Sequence, residues 1–325
     1  MEPSVKKILV IRFSAMGDII LTTPIIRCLK NQGEDVHITY LTYHKNSEIL
    51  KFNPYIDRIW SVSRIDRSTL LQIRFEKYDL IVDLHKNFKS FAIKLIANSP
   101  KVLSFDKLNA LKWLFVRFKL DYLPAKHLVD RYFDSLHQIG IKDDGHGLDF
   151  FMPPAIPQLE LPKKYAVLVL GATHFTKRIP PSLIDDIIAH YPLEILLLGG
   201  KDVAELGATT KDKWLNKVQN YCGKWSLWES AQAIKNAHEV ITSDTGMMHI
   251  AAAFQKKIHV IWGNTTPKLG MYPYFGSKGG KAIHHEVSGL PCRPCSKIGF
   301  AKCPKQHFKC MIEQKVDFSG TSIEL

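Results

Sequence analysis

A chain of 325 residues is long enough for two domains, each with its own core, and 46% hydrophobic against 23% charged residues is ordinary for a soluble globular protein. The net charge of +13, spread along the chain without a block of like charges, implies a folded basic face and an anionic partner: nucleic acid, an anionic membrane surface or a phosphorylated substrate. There is no apolar run of about 18 residues, which argues against a membrane-spanning helix. Ile8–Phe13 is too short for a secretory signal core, so the expectation is a cytoplasmic protein whose six cysteines are mostly reduced or metal-bound.

The first element is the apolar run Ile8–Ile11, which reads as a parallel strand buried on both faces. It stops at Arg12-Phe13-Ser14-Ala15-Met16-Gly17-Asp18, a loop at a strand's carboxyl end, where open α/β sheets bind ligands. Thr23-Pro24 then offers an N-cap and a proline at the first helical position. Asp18 on this loop is either a carboxylate available for chemistry or simply a turn cap. Strands are expected at residues 36–41, 56–62, 78–84 and 102–105, with a helix over 91–97. The loop after the fourth strand, from His85 to Ser90, carries basic and amide groups. Residues 107–126 interleave basic and aromatic side chains, Trp113, Phe115, Arg117, Phe118, Lys119 and Tyr122 among them. That pattern suits contact with an anionic membrane surface, but the favoured reading is an amphipathic helix packed on its own sheet.

Met152-Pro153-Pro154, Pro157 and Pro162 mark a semi-rigid linker, placing domains at 1–155 and 156–325. Beyond it, strands are expected at 165–170, 193–198, 218–223, 239–243 and 258–262. Helices are expected at 182–191, from the Ser226–Glu229 capping box to 237, and at 247–254. Strands alternating with helices in both halves predict an α/β fold of two doubly wound domains with a cleft between them. Asp244-Thr245-Gly246 runs from a strand end into a helix whose N-terminal N–H groups suit a phosphate. His249, one turn further on, either points at that ligand or into the core. Lys177 and Arg178, past another strand end, suit a diphosphate or form a solvated basic loop. A diphosphate pocket in one domain and a carboxylate in the other is the layout of a two-substrate transferase. No GxGxxG fingerprint follows the first strand, which argues against a dinucleotide oxidoreductase.

Residues 8–29 (ILVIRFSAMGDIILTTPIIRCL), 78–90 (YDLIVDLHKNFKS), 171–180 (GATHFTKRIP), 243–253 (SDTGMMHIAAA) and 290–311 together resemble the ADP-heptose:lipopolysaccharide heptosyltransferases, a glycosyltransferase family of GT-B fold with two Rossmann-like domains. The resemblance implies inverting transfer of heptose from ADP-heptose, or a related nucleotide sugar, to a lipid A–Kdo core acceptor. It makes Asp18 the catalytic base and gives Lys177, Asp244, Thr245, Gly246 and His249 to the donor, with Thr173 beside the phosphates and Asp202 at the ribose. Ser14, Lys86 and Asn87 become candidate acceptor contacts. It further implies no metal for catalysis, since no DxD-type motif is present, and a cytoplasmic enzyme peripheral to the anionic inner face of the inner membrane. Two features depart from the family pattern: Met247 stands where many members have proline, and Ile312–Leu325 is short and polar where members often have a long helix. A GT-B transferase using another nucleotide sugar remains an alternative, as does a non-enzymatic basic protein that binds nucleic acid. The second rests on charge alone, without a zinc-finger, RRM or helix-turn-helix signature.

Cys292, Cys295, Cys303 and Cys310 form a cluster with His307 nearby, in a segment with few large apolar residues. The spacing admits a structural zinc closed by four thiolates, reduced thiols beneath the loop, or disulfides.

Overall fold

The computed structural model describes residues 6–318. The chain divides into two compact units. One comprises residues up to Lys107, Lys126–Pro153 and Tyr274–Lys278; the other comprises Leu108–Ala125, Pro154–Pro273 and the residues from Gly279 onward.

The first unit contains β1 (Lys6–Ile11), α1 (Met16–Ile20), α2 (Thr23–Gln32), β2 (Val36–Tyr43), α3 (His44–Ser47), β3 (Arg58–Val62), α4 (Arg67–Glu76), β4 (Leu80–Asp83), α5 (Phe88–Ala97) and β5 (Lys101–Ser104). The strands form one parallel sheet in the order β3-β2-β1-β4-β5. Ile8 to Ile11 are buried on both faces, as helices on both sides of a parallel sheet require. Leu9, Ile11, Leu41, Trp60 and Ile81 share one core with Ile73 of α4 and Ile93 of α5. The order reverses between β1 and β4, so the loops after these two strands flank the sheet's switch point. The helix expected after Asp18 begins with Thr22 as its cap and Pro24 at its second position, one residue out from the expected register.

After β5 come α6 (Asn109–Phe118) and α7 (Leu128–Leu136). Helix α6 departs from the favoured reading. Only Phe115 is buried, while Trp113 and Phe118 are exposed, and the segment belongs to the second unit. Lys119, in the left-handed region at its C-cap, donates to the carbonyl oxygens of Pro294 (2.6 Å) and Cys292 (3.3 Å), and Asp121 pairs with Lys268. These polar ties, more than apolar burial, attach α6 to that unit.

The rest of the second unit is β6 (Tyr165–Val169), α8 (Pro181–His190), β7 (Glu194–Leu198), α9 (Ala204–Lys213), β8 (Val218–Asn220), α10 (Leu227–Asn236), β9 (Glu239–Ser243), α11 (Gly246–Ala253), β10 (Lys257–Trp262), β11 (Ala282–Glu286) and α12 (Lys309–Ile312). The sheet is parallel, in the order β11-β10-β9-β6-β7-β8, with its switch point between β6 and β9. The capping box at α10 forms as its sequence predicts: Ser226 Oγ accepts from Glu229 N–H, and the Glu229 carboxylate accepts from Ser226 N–H. Strand β8 is shorter than expected because the chain turns at once. Cys222 N–H donates to Asn220 Oδ1 and Gly223, at φ +71°, donates to Gly199 O. Gly199 has no room for a side chain, since a Cβ there would lie 2.3 Å from Val203. Met247 leaves the start of α11 intact at Gly246. The part of Ile312–Leu325 beyond 318 lies outside the described residues.

Candidate active site

In the first unit the switch point is organised by Arg12, which sequence reasoning passed over as the polar end of a strand. Its side chain is buried and makes contacts in four directions. It donates to Leu84 O at the end of β4 (2.5 Å), to Ser14 O (2.9 Å) and to Tyr132 Oη (3.2 Å), and it pairs with Asp18 at 2.7 Å. Burial opposes its charge, but Asp18, Tyr132 and Tyr40 more than offset this and raise its pKa. Asp18 sits within α1 and not on the expected loop. One carboxylate oxygen faces Arg12 and the other accepts from Ala15 N–H at 3.1 Å. The capping reading holds, since Asp18 caps the start of α1, and its carboxylate is also an anion beside a fixed cation at the switch point.

The second loop folds around Asp83, fully buried and also missed from sequence. Its carboxylate accepts from the His85 and Lys86 N–H groups and from Ser90 Oγ, and pairs with Lys94 at 3.0 Å. Lys86, at φ +50°, sends its ammonium to Phe105 O. Asn87 is the N-cap of α5, in a reciprocal pair with Ser90, so its side-chain oxygen has a structural task. His85 packs edge-on against Phe13 at 4.9 Å. Burial first, then the charges of Arg12 and Lys107, push its pKa down to about 4, so it is neutral near pH 7.

In the second unit the loops after β6 and β9 bring together two of the sequence-predicted donor residues. Lys177 pairs with Asp244 at 2.7 Å, and Asp244 also accepts from Thr265 Oγ1 at 2.9 Å. Thr265, from the loop after β10, was not anticipated. Thr245 is the N-cap of α11 and its hydroxyl lies 3.1 Å from Thr242 Oγ1, leaving Gly246 as the first helical residue. Thr173 is exposed on the loop after β6. His249 is buried within α11. Asp202 lies at the end of β7's loop with its carboxylate 2.5 Å from Arg178.

The four tail cysteines are grouped, Cys310 interacting electrostatically with Cys295, Cys303 and Cys292. A tetrahedral thiolate site holds its sulfurs about 3.8 Å apart. Among the described residues, the group of three or more Cys, His, Asp or Glu ligand atoms lying within 4.8 Å of one another is Cys28, Asp143 and Asp144, not the tail cluster. There Arg27 already lies against Asp144 at 2.7 Å and against Asp149. In the tail, all four thiols are free. Cys292 Sγ is 3.8 Å from His307 Nε2, and burial pushes the Cys310 thiol up to about 12. Cys295 and Cys310 each lie within electrostatic reach of the other tail thiols, a grouping that suits reduced packed thiols and a structural zinc alike.

The sequence profile of glycosyltransferase family 9 (heptosyltransferase) matches residues 67–297. The chain belongs to this family. Among relatives of this family 9 enzyme, lipopolysaccharide heptosyltransferase 1 of Campylobacter coli is 27% identical over 296 residues, 80% of this chain and 84% of that protein. Lipooligosaccharide heptosyltransferase 2 of Campylobacter jejuni is 26% identical over 317 residues, 92% of each. A family 9 glycosyltransferase from Veillonella parvula superposes with a TM-score of 0.67 at 23% identity, over 87% of this chain and 86% of that one. The E. coli heptosyltransferase WaaC, solved with ADP, gives 0.64 at 18% identity, over 90% and 96%. At these identities the structures establish the shared fold, two Rossmann-like α/β units as in GT-B heptosyltransferases. Membership makes the protein a glycosyltransferase and removes the reading as a non-enzymatic nucleic-acid binder.

Proposed function

We propose that this enzyme transfers a heptose from ADP-heptose to the lipid A–Kdo inner core of lipopolysaccharide, with inversion at the anomeric carbon. The observation that carries the reading is the Lys177–Asp244–Thr265 cluster beside the N-terminus of α11, at the switch point of the second sheet. An ammonium held by a carboxylate next to aligned backbone N–H groups suits a nucleoside diphosphate. The names of the Campylobacter relatives, and the ADP in the WaaC structure, support heptose, lipopolysaccharide and ADP as the chemistry.

Asp18 takes the proton of the acceptor hydroxyl as that oxygen forms a bond to the anomeric carbon. The bond from that carbon to the diphosphate breaks, and Lys177 with the α11 N-terminus stabilises the charge gathering on the departing ADP. Because protein cations and dipoles supply this stabilisation, transfer proceeds without a divalent cation. Arg12 fixes the Asp18 carboxylate by ion pair and hydrogen bond and ties it to Ser14 and to the end of β4. Ser14 and Lys86 then lie on the loops that border Asp18, where acceptor contacts are expected. A phosphorylated acceptor carried by an anionic membrane suits a chain of charge +13.

The test is transfer from a panel of nucleotide sugars to lipid A–Kdo acceptors, with and without EDTA, read by mass spectrometry. Heptose addition from ADP-heptose, insensitive to EDTA, is expected. Addition of another sugar in preference to heptose would replace this reading by the broader one of a GT-B transferase with a different donor.

A further inference from the structure

Helices α4 and α5 pack against each other in the first unit and bury Thr69, Ile73, Ser90, Ile93 and Ala97. An amphipathic surface helix turns polar residues to the solvent side. Here that side also carries large apolar residues among the polar ones. Leu71 and Phe75 lie one turn apart on α4, Phe75 being 76% exposed. Phe88, Phe91 and Leu95, spaced at i, i+3 and i+7 on α5, are 94%, 55% and 67% exposed. Exposed aromatic and aliphatic side chains at this density mark an interaction site. The charge on the same helices is mainly positive. Arg67, Arg74 and Lys89 outnumber Glu76, which is paired with Arg58 at 2.6 Å, while Lys94 is already paired with the buried Asp83 at 3.0 Å.

We infer that the α4–α5 face is the surface by which this enzyme docks on an anionic lipid bilayer. Apolar side chains entering the acyl boundary, flanked by arginine and lysine at the headgroups, are the composition of an interfacial anchor. No helix among the described residues is long and apolar enough to cross a membrane, so the anchor is a surface one. The position of α5 supports lipid as the occupant. Phe88, its first residue, directly follows Lys86 and Asn87, and that loop lies beside Asp18 at the switch point of the first sheet. A bilayer meeting the exposed stripe sets the acceptor loop at headgroup level, the height of a sugar carried on a lipid. The inference rests on the lipid-borne acceptor proposed above.

The experiment is co-sedimentation of the full chain with phosphatidylcholine vesicles, with and without phosphatidylglycerol. Wild type binds the anionic vesicles. The triple variant Phe75→Gln/Phe91→Gln/Leu95→Gln, checked for an unchanged circular dichroism spectrum and melting point, loses at least about tenfold in partitioning and still glycosylates a de-acylated, soluble acceptor. Arg67→Gln/Arg74→Gln tests the same surface without touching its apolar side chains, and loses roughly fivefold per residue on anionic vesicles only. Binding equal to wild type in both variants overturns the inference. So does loss of binding in Trp113→Gln/Phe118→Gln on α6 with the α4–α5 variants unaffected, or a wild-type dimer that the triple variant dissociates without change in vesicle binding. Wild type that ignores anionic vesicles yet transfers heptose removes the membrane partner and leaves the sugar chemistry standing.

Discussion

Asp18 and Lys177 each stand against an opposite charge, and those pairings decide what substitutions do. Arg12 is buried, and its partners at Leu84 and Tyr132 are 72 and 120 residues away in sequence. Replacing it with methionine leaves Asp18 without its cation and Leu84 O without its donor. Loss of roughly 2–4 kcal/mol in urea unfolding is expected, toward the lower side of a broken buried pair because Asp18 keeps some solvent contact. Arg12→Lys keeps the charge but cannot reach all four acceptors, so it should fall between the two; a methionine variant as stable as wild type would show the pair to be idle. In the other unit, Lys177→Ala removes the cation held by Asp244. Calorimetry should show ADP binding weakened by about 1.5–3 kcal/mol, the range for a hydrogen bond to a charged group; equal affinity would take Lys177 out of the donor site. None of these pairings is written in local sequence. Asp18 and Asp244 were legible because each follows an apolar strand and a small residue marks the turn. Arg12 was not, because an arginine ending a strand looks like a solvated terminator until the chain closes around it.

Among the elements, strands buried on both faces were read closely, since parallel pairing demands continuous apolar runs; β9 ends where its sequence says. Elements without such a run were missed. Helix α9, AELGATTKDK, has few apolar residues with which to show a period, and β11, AIHHE, hides its strand character in two histidines. The second of them, His285, belongs to a polar chain inside the second sheet, while His284 accepts from Trp262 Nε1. Glu239 of β9 accepts from His259 Nε2 on β10 at 3.1 Å, and His259 Nδ1 meets His285 Nε2 on β11 at 3.0 Å, the rings stacked 8° from parallel. Lys257 closes the other side of Glu239 at 2.5 Å. Burial would raise the Glu239 pKa, but His259 and Lys257 outweigh it and bring it to about 2. Burial, then His259, pushes His285 down to about 4 from 6.5. The unfolded chain therefore takes up the His285 proton before the folded one does, and stability falls as pH drops from 6.5 to 4. The Glu239 contribution is lost at lower pH, below its unfolded value of 4.5 and on through about 2. The melting temperature of His285→Gln should fall less steeply than wild type between pH 6.5 and 4; parallel slopes would mean that His285 is not the group titrating there.

For the whole molecule, the two sheets repeat one logic. Each reverses its strand order once, and in each a paired carboxylate lies just past a strand end at that reversal: Asp18 with Arg12 in the first, Asp244 with Lys177 in the second. The doubly wound α/β character of both halves was readable from periodicity. The assignment of Leu108–Ala125 to the second unit was not, because its attachment runs through Lys119 and Asp121 to backbone and side chains far along the chain. The account's central claim is that the first switch point supplies the base and the second the donor site. The direct measurement is single-turnover heptose transfer by Asp18→Asn, an isosteric change that removes the proton acceptor, alongside its ADP affinity by calorimetry. The account predicts that turnover drops by about 10²-fold or more while ADP binds as in wild type. Near-normal turnover in the variant would contradict it.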